Sequence, residues 1–199
     1  MALSPEAAVH PVILRVPADA YLPLAPRDRV RFLSGYARQA LILSAALRGV
    51  VLAPDQLVKD SLGRPLSVGG GYWSVSHKPQ YVAGIFSPEP VGIDIERIRP
   101  YNLRLQSKVA TNHEWRLVKS DTPDAFFRFW TAKEAVLKIG GIGIADLLKC
   151  RVRHVDGRRG LSLRYRHRDY RVCHTCVEDH IAAVVLGKFP VQWRFPELP

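Results

Sequence analysis

The chain has 199 residues, 47% of them hydrophobic, and 29 Lys and Arg against 18 Asp and Glu give it a formal net charge of +11. This is enough chain to bury a core, and too little for an array of several large domains. No stretch approaches the roughly 20 apolar residues of a spanning helix, and Met1-Ala2-Leu3-Ser4-Pro5-Glu6 lacks the basic and apolar blocks of a secretory signal, so a cytoplasmic protein is expected, with no membrane partner.

The first strand is expected over residues 9–16, where β-branched residues are dense, followed by a proline-rich turn through Pro23 and Pro26. Residues 27–49 carry apolar or small side chains at three- and four-residue spacing (Val30, Leu33, Ala37, Ala40, Leu41, Ser44, Leu47), which predicts a long helix ended by Gly49. Gly63-Arg64-Pro65 reads as a loop. Residues 72–76 and 81–86 read as short strands joined around His77-Lys78-Pro79, and another strand begins at Val91. Residues 100–120 have weak helical tendency. Asp121-Thr122-Pro123-Asp124 then supplies a cap, a proline suited to a first turn and an acidic residue at the positive end of a helix that runs to Gly140-Gly141. Residues 149–187 are strand and turn material, with a reversal at Asp156-Gly157, and a tail begins at Pro190. Helix and strand thus come in two batches. The expected fold class is α+β, in two lobes of residues 1–96 and 97–199 that form one functional unit.

Cys150, Cys173 and Cys176 are odd in number and sparse, which argues against a disulfide framework. Cys173-His174-Thr175-Cys176 has zinc-ribbon spacing but no second pair, so buried or half-buried thiols are expected instead of a metal site. The positive charge attracts a polyanion: nucleic acid, a phosphorylated cofactor or an acidic protein. Residues 151–171 hold eight arginines against Asp156 and Asp169, either a solvated sheet face or a docking patch.

Three constellations can carry chemistry. In Val91-Gly92-Ile93-Asp94-Ile95-Glu96 the strand period sends Asp94 and Glu96 to one face about 7 Å apart, beside the open space at Gly92. Such a pair is either an ordinary exposed face or an oxygen site for Mg²⁺. In Trp130-Thr131-Ala132-Lys133-Glu134-Ala135-Val136-Leu137-Lys138, helical geometry stacks Trp130, Glu134 and Lys138 on one side. Glu134 and Lys138 are either a surface ion pair worth roughly 0.3–0.5 kcal/mol or part of a site. In Trp73-Ser74-Val75-Ser76-His77-Lys78, His77 is either a structural hydrogen-bonder or a functional group.

Taken together, these motifs resemble the 4′-phosphopantetheinyl transferase superfamily. Its Gly-x-Asp-x-Glu strand matches Gly92, Asp94 and Glu96, and its Trp-x-x-Lys-Glu-Ala-x-x-Lys helix matches Trp130, Lys133, Glu134, Ala135 and Lys138. Its Ser-His pair matches Ser76 and His77, and its Gly-(Lys or Arg)-Pro loop matches Gly63, Arg64 and Pro65. The chain resembles the longer, monomeric surfactin-type class. That resemblance implies two similar lobes, each a small antiparallel sheet packed with a long helix and related by a pseudo-twofold. It further implies Mg²⁺, with Mn²⁺ as a substitute, on Asp94, Glu96 and Glu134, and coenzyme A as substrate. By the same resemblance Arg31, Arg38, Arg64, Pro65, Ser76, His77, Lys133 and Lys138 bind the coenzyme, and Glu114, Glu134 and Lys138 are catalytic. The implied partner is an acidic acyl or peptidyl carrier protein. The sequence departs from the family in reading Gly35-Tyr36 where relatives carry Gly-Arg, and in lacking the aromatic pair before Glu114.

Two rival classes predict different behaviour. A Mg²⁺-dependent nuclease or nucleotide hydrolase also needs clustered carboxylates and cations, but it does not account for the helical motif joined to Ser76-His77. A nucleic-acid-binding module should interleave aromatic platforms with basic residues, yet only Tyr165 and Tyr170 fall within residues 151–171.

Overall fold

A computed structural model describes residues 8–118, 120 and 122–197. Chain order gives strand β1 (Val12–Arg15), the one-turn helix α1 (Ala18–Tyr21) and the long helix α2 (Pro26–Ala46). Strands β2 (Tyr72–His77), β3 (Tyr81–Ser87) and β4 (Ile93–Arg97) follow, then helices α3 (Gln106–Val109), α4 (Asn112–Val118) and α5 (Pro123–Ile139). The chain closes with β5 (Arg151–Asp156), β6 (Gly160–Tyr165), β7 (Arg168–Val177) and β8 (His180–Leu186).

The strands form two antiparallel sheets, β1-β3-β2 and β4-β8-β7-β6-β5. Each sheet carries one long helix, as α+β in two lobes requires, although the first sheet has three strands and the second five. Position 96 lies inside β4, and β4 pairs with β8 of the second sheet, Asp94 opposite Ala183 and Glu96 opposite Ile181.

Local chemistry explains the two helices. Pro26 stands in the first turn of α2, and Leu33, Ala37, Ala40 and Leu41 are buried on one face. Thr122 accepts a hydrogen bond from the Ala125 amide at the start of α5, whose proline occupies the first turn; Asp121 lies outside the described residues. Both helices close onto a strand at a glycine. A Cβ on Gly84 of β3 would fall 2.3 Å from the Leu41 amide nitrogen of α2, and one on Gly92 would fall 1.8 Å from the Ala135 carbonyl oxygen of α5. Any larger residue at these points separates helix from sheet.

Apolar burial follows the strand period. Val12, Leu14 and Val82 face α2, while Ile13, Ala83 and Ile85 face the second sheet, where they meet Ile93, Ile95, Ala182 and Val184. The opposite face of the second sheet, including Leu161, Val172, Ala183 and Val185, packs on α5. The tail runs beside β1 through parallel bridges Val9 to Val191 and Val12 to Arg194.

Two side chains fasten the sheets together. Ser74 and Ser76 of β2 accept from the Ile93 and Ile95 amides of β4 at 3.2 and 3.3 Å. Among the described residues no helix is long and apolar enough to cross a membrane. Cys150 is buried, but Cys176 is exposed, contrary to the expectation of a covered thiol. Three residues apart on β7, Cys173 and Cys176 project to opposite sheet faces and do not converge on one ion.

Candidate active site

The alternation of β4 puts Ile93 and Ile95 into the apolar layer between the sheets, leaving Asp94 and Glu96 on the face covered by α5. There they meet Glu134 and Lys138, one helical turn apart on α5. The pair is not an ordinary exposed strand face: Asp94 is 5% and Glu96 9% exposed.

The two β4 carboxylates are held by cations. Asp94 Oδ1 accepts from Ser76 Oγ at 2.7 Å and from Lys138 Nζ at 2.8 Å, while Lys138 also donates to the Ile93 carbonyl at 2.9 Å. Glu96 Oε1 lies 2.7 Å from Lys78 Nζ. Asp94 Oδ2 is buried and, among the described residues, accepts no hydrogen bond. A buried carboxylate oxygen without a donor is destabilising unless a cation meets it.

Burial raises the Glu134 carboxyl to about 7, with the charges of Asp94 and Glu96 adding to the effect and Lys138 opposing it. Burial likewise raises Glu96, against the Lys78 hydrogen bond and with help from Asp94. The three carboxylates therefore sense one another. Three hard oxygen donors, one with an orphaned buried atom, fit a hard divalent cation such as Mg²⁺ or Mn²⁺. Among the described residues, however, no three acidic, His or Cys side chains are already drawn to ligating separations.

A ring of positive charge surrounds this cluster. Burial, then Lys138, Lys78 and Lys59, lowers His77 below its ordinary value. Burial, then Arg38 and Lys138, lowers Lys59. A cavity of about 270 Å³ is bounded by Lys59, Arg64, Pro65, Ser74, Glu134 and Lys138. It adjoins a groove of about 730 Å³ that shares Arg64, Pro65, Lys138 and Ile142 and extends between β2, the end of α5 and the β6–β7 turn.

The structure thus brings together Asp94, Glu96, Glu134, Lys138, Ser76, His77, Arg64 and Pro65, with Arg38 close enough to act on Lys59. Arg31 is exposed on α2 and borders neither cavity. Ser76 is 7% exposed and is spent on Asp94 and the Ile95 amide.

The structure places Lys133 and Glu114 apart from this cluster, paired with each other. Lys133 is fully buried on the far side of α5, where Nζ donates to Glu114 Oε1 and to the Val109 carbonyl, each at 2.7 Å. Successive helical residues turn about 100°, and Lys133 reaches Val109 and Glu114 while Glu134 senses Asp94 and Glu96. Glu114 is 1% exposed and also accepts from the Thr111 and Val152 amides at 2.9 and 2.8 Å. Burial pushes its carboxyl up, but Lys133 and these donors outweigh it and the net shift is downward. Both Glu114 carboxylate oxygens are thus already engaged by donors.

Sequence reasoning missed Lys59 and Lys78. Lys78 follows Ser76-His77 directly, so a cation there was available as a signal; Lys59 reaches the cleft through a bridge to Pro65 that no local pattern announces.

This is an α+β protein with two antiparallel sheets, and its cleft holds an acidic cluster with Lys138, Lys78 and Lys59 around it. Residues 90–186 match the 4′-phosphopantetheinyl transferase superfamily. The 4′-phosphopantetheinyl transferase ffp of Bacillus subtilis is 26% identical over 147 residues, covering 66% of this chain and 65% of that protein. The transferase psf-1 of Bacillus pumilus is 29% identical over 134 residues (61% and 57%), and HetI of a Nostoc species 32% over 135 (61% and 56%). The alignments span less than two thirds of these relatives' own length. The chain is thus similar to the 4′-phosphopantetheinyl transferase superfamily over just under half of its length.

Proposed function

We propose that the chain transfers the phosphopantetheine arm of coenzyme A to a serine hydroxyl of an apo acyl or peptidyl carrier protein, releasing 3′,5′-ADP. The observation that carries this reading is the Asp94, Glu96 and Glu134 cluster with its orphaned Asp94 Oδ2, ringed by Lys138, Lys78, Lys59, His77 and Arg38.

Asp94, Glu96 and Glu134 would hold Mg²⁺, or Mn²⁺ in its place, and when bound that cation supplies charge neutralisation at the pyrophosphate. Lys138 and Lys59 bind phosphate oxygens by charge-assisted hydrogen bonds, and they stabilise the negative charge that builds on the departing 3′,5′-ADP. Arg38, Arg64 and His77 are assigned to the adenosine and 3′-phosphate end, with Pro65 against the base. Ser76 acts by holding Asp94 Oδ1 so that Oδ2 stays free. The serine proton would pass to a carboxylate oxygen of the Asp94, Glu96 and Glu134 cluster that the cation leaves free.

We assign the two lobes, residues 1–96 and 97–199, to one monomeric, cytoplasmic working unit. Release of 3′,5′-ADP tests the reading. It should require coenzyme A, a divalent cation and an apo carrier together, one nucleotide per carrier modified. Hydrolysis of nucleic acid, with no 3′,5′-ADP formed from coenzyme A, would establish the nuclease reading instead.

A further inference from the structure

The turn from β6 to β7 holds Arg166, His167 and Arg168, all exposed, at the mouth of the 730 Å³ groove. It is a shaped turn. Arg166 adopts φ 53° and its guanidinium lies 5.3 Å from the centroid of Tyr165. The Tyr165 hydroxyl in turn donates to Asp146 Oδ2 at 2.6 Å, which fixes the ring. Arg168 has no ion-pair partner among the described residues. Across the groove stands Arg64, 53% exposed even though it lies 3.3 Å from Asp60.

Between these cations the floor is apolar and aromatic, with Tyr72, Trp73 and Tyr170 beside Val136 and Ile139 of α5, and none of the described lining residues is acidic. Tyr72 is 43% exposed. Exposed arginines around aromatic rings, with carboxylates absent, form the composition found at the centre of protein-docking surfaces. A site for phosphate alone needs the cations but not an open apolar floor. The groove also runs past Arg64, Pro65 and Lys138 into the cavity containing Glu134, so a macromolecule seated there presents a side chain to the acidic cluster.

We propose that this groove docks the protein substrate, an acidic carrier surface crossing Arg166 and Arg168 while apolar residues beside its acceptor serine rest on Tyr72 and Tyr170. The proposal rests on the transferase reading and adds the surface that reading leaves open. Charge on a fixed, exposed turn raises encounter rate and orients the partner, with little effect on the chemical step.

The test is the double charge reversal Arg166→Glu/Arg168→Glu. Fluorescence anisotropy, without coenzyme A, follows binding of an acidic apo carrier whose acceptor serine is replaced by alanine; KM, kcat and coenzyme A affinity are measured in parallel. We expect carrier Kd and KM to rise about tenfold or more, with kcat at saturating carrier and coenzyme A affinity little changed. Carrier binding by the parent should weaken with salt, and Arg166→Lys/Arg168→Lys should retain most of it. Unchanged carrier affinity in the reversal variant overturns the proposal, as does a parent that binds no acidic carrier. A parallel loss of coenzyme A affinity also overturns it, and gives the groove to the coenzyme. Because carrier binding is read without turnover, failure of docking and failure of the transferase reading are distinguishable: the latter is a parent that binds carrier yet neither binds coenzyme A nor releases 3′,5′-ADP.

Discussion

Lys138 Nζ lies 2.8 Å from Asp94 Oδ1 and 2.9 Å from the Ile93 carbonyl, so one ammonium binds the last turn of α5 to β4 and neutralises half of a buried carboxylate. The same group lines both cavities, where a phosphate would compete for it. Lys138→Ala is predicted to lower the transfer rate about 10²–10³-fold, the usual effect of losing one preorganised charge partner. It should also destabilise the metal-free protein by about 1–3 kcal/mol, because Asp94 is left with less compensation. Transfer kinetics and a urea midpoint measure both; unchanged kcat would remove Lys138 from the chemistry.

Glu134 illustrates a site held at the expense of stability. Its carboxyl is raised from 4.5 to about 7, so the folded state holds the proton more tightly than the unfolded state does. The sign follows: its contribution falls as pH rises from about 4.5 to about 7, and the deficit is complete above that. At pH 8 without divalent cations, Glu134→Gln should be more stable than the parent by about 1–3 kcal/mol while losing transfer about 10²-fold or more. Mg²⁺ should raise the parent Tm more than that of the variant. A less stable Gln variant at pH 8 would show that Glu134 is structural.

Glu114 and Lys133 should behave in the opposite way. Either single replacement by alanine leaves an uncompensated buried charge and is predicted to destabilise by about 3–5 kcal/mol. The double variant Glu114→Leu/Lys133→Met should recover most of that loss. Thermal unfolding measures it, and a Glu114→Ala protein with full stability and no transfer would restore Glu114 as a base.

His174 gives a pH signature independent of the cleft. Its ring is buried between the Arg159 and Arg128 carbonyls, each 3.1 Å away, and burial lowers it to about 4 against the pull of those acceptors. The unfolded ring titrates near 6.5, so stability is lost as pH falls from 6.5 to about 4, by up to about 3 kcal/mol. In His174→Asn that part of the acid dependence should vanish. Denaturant midpoints at pH 7, 5.5 and 4 compare the two slopes; parallel slopes would mean the imidazole is charged in the native state.

Much of this architecture is local and therefore readable. Thr122-Pro123 starts α5, and the alternation around Asp94 and Glu96 assigns their common face, because caps and strand period depend on near neighbours. Gly92 reads as open space beside the carboxylates, yet that space is filled by the Ala135 carbonyl. Direction around α5 is harder: Lys133 and Glu134 are adjacent in a motif but 100° apart on the helix, and only the burial of Glu114 against β5 shows which one faces the cleft. Lys59 and the pairing of β4 with β8 depend on contacts distant in sequence, and no local pattern carries them.

Intact mass of an apo carrier protein, incubated with this protein and coenzyme A, tests the central claim most directly. With Mg²⁺ the carrier should gain the mass of one phosphopantetheine group, lose that gain when EDTA is present or when Asp94→Ala replaces the parent, and regain it on restoring Mg²⁺ to the parent. A gain that persists in EDTA, or in Asp94→Ala, would contradict the role given to the acidic cluster; no gain on any carrier from folded protein would contradict the transferase itself.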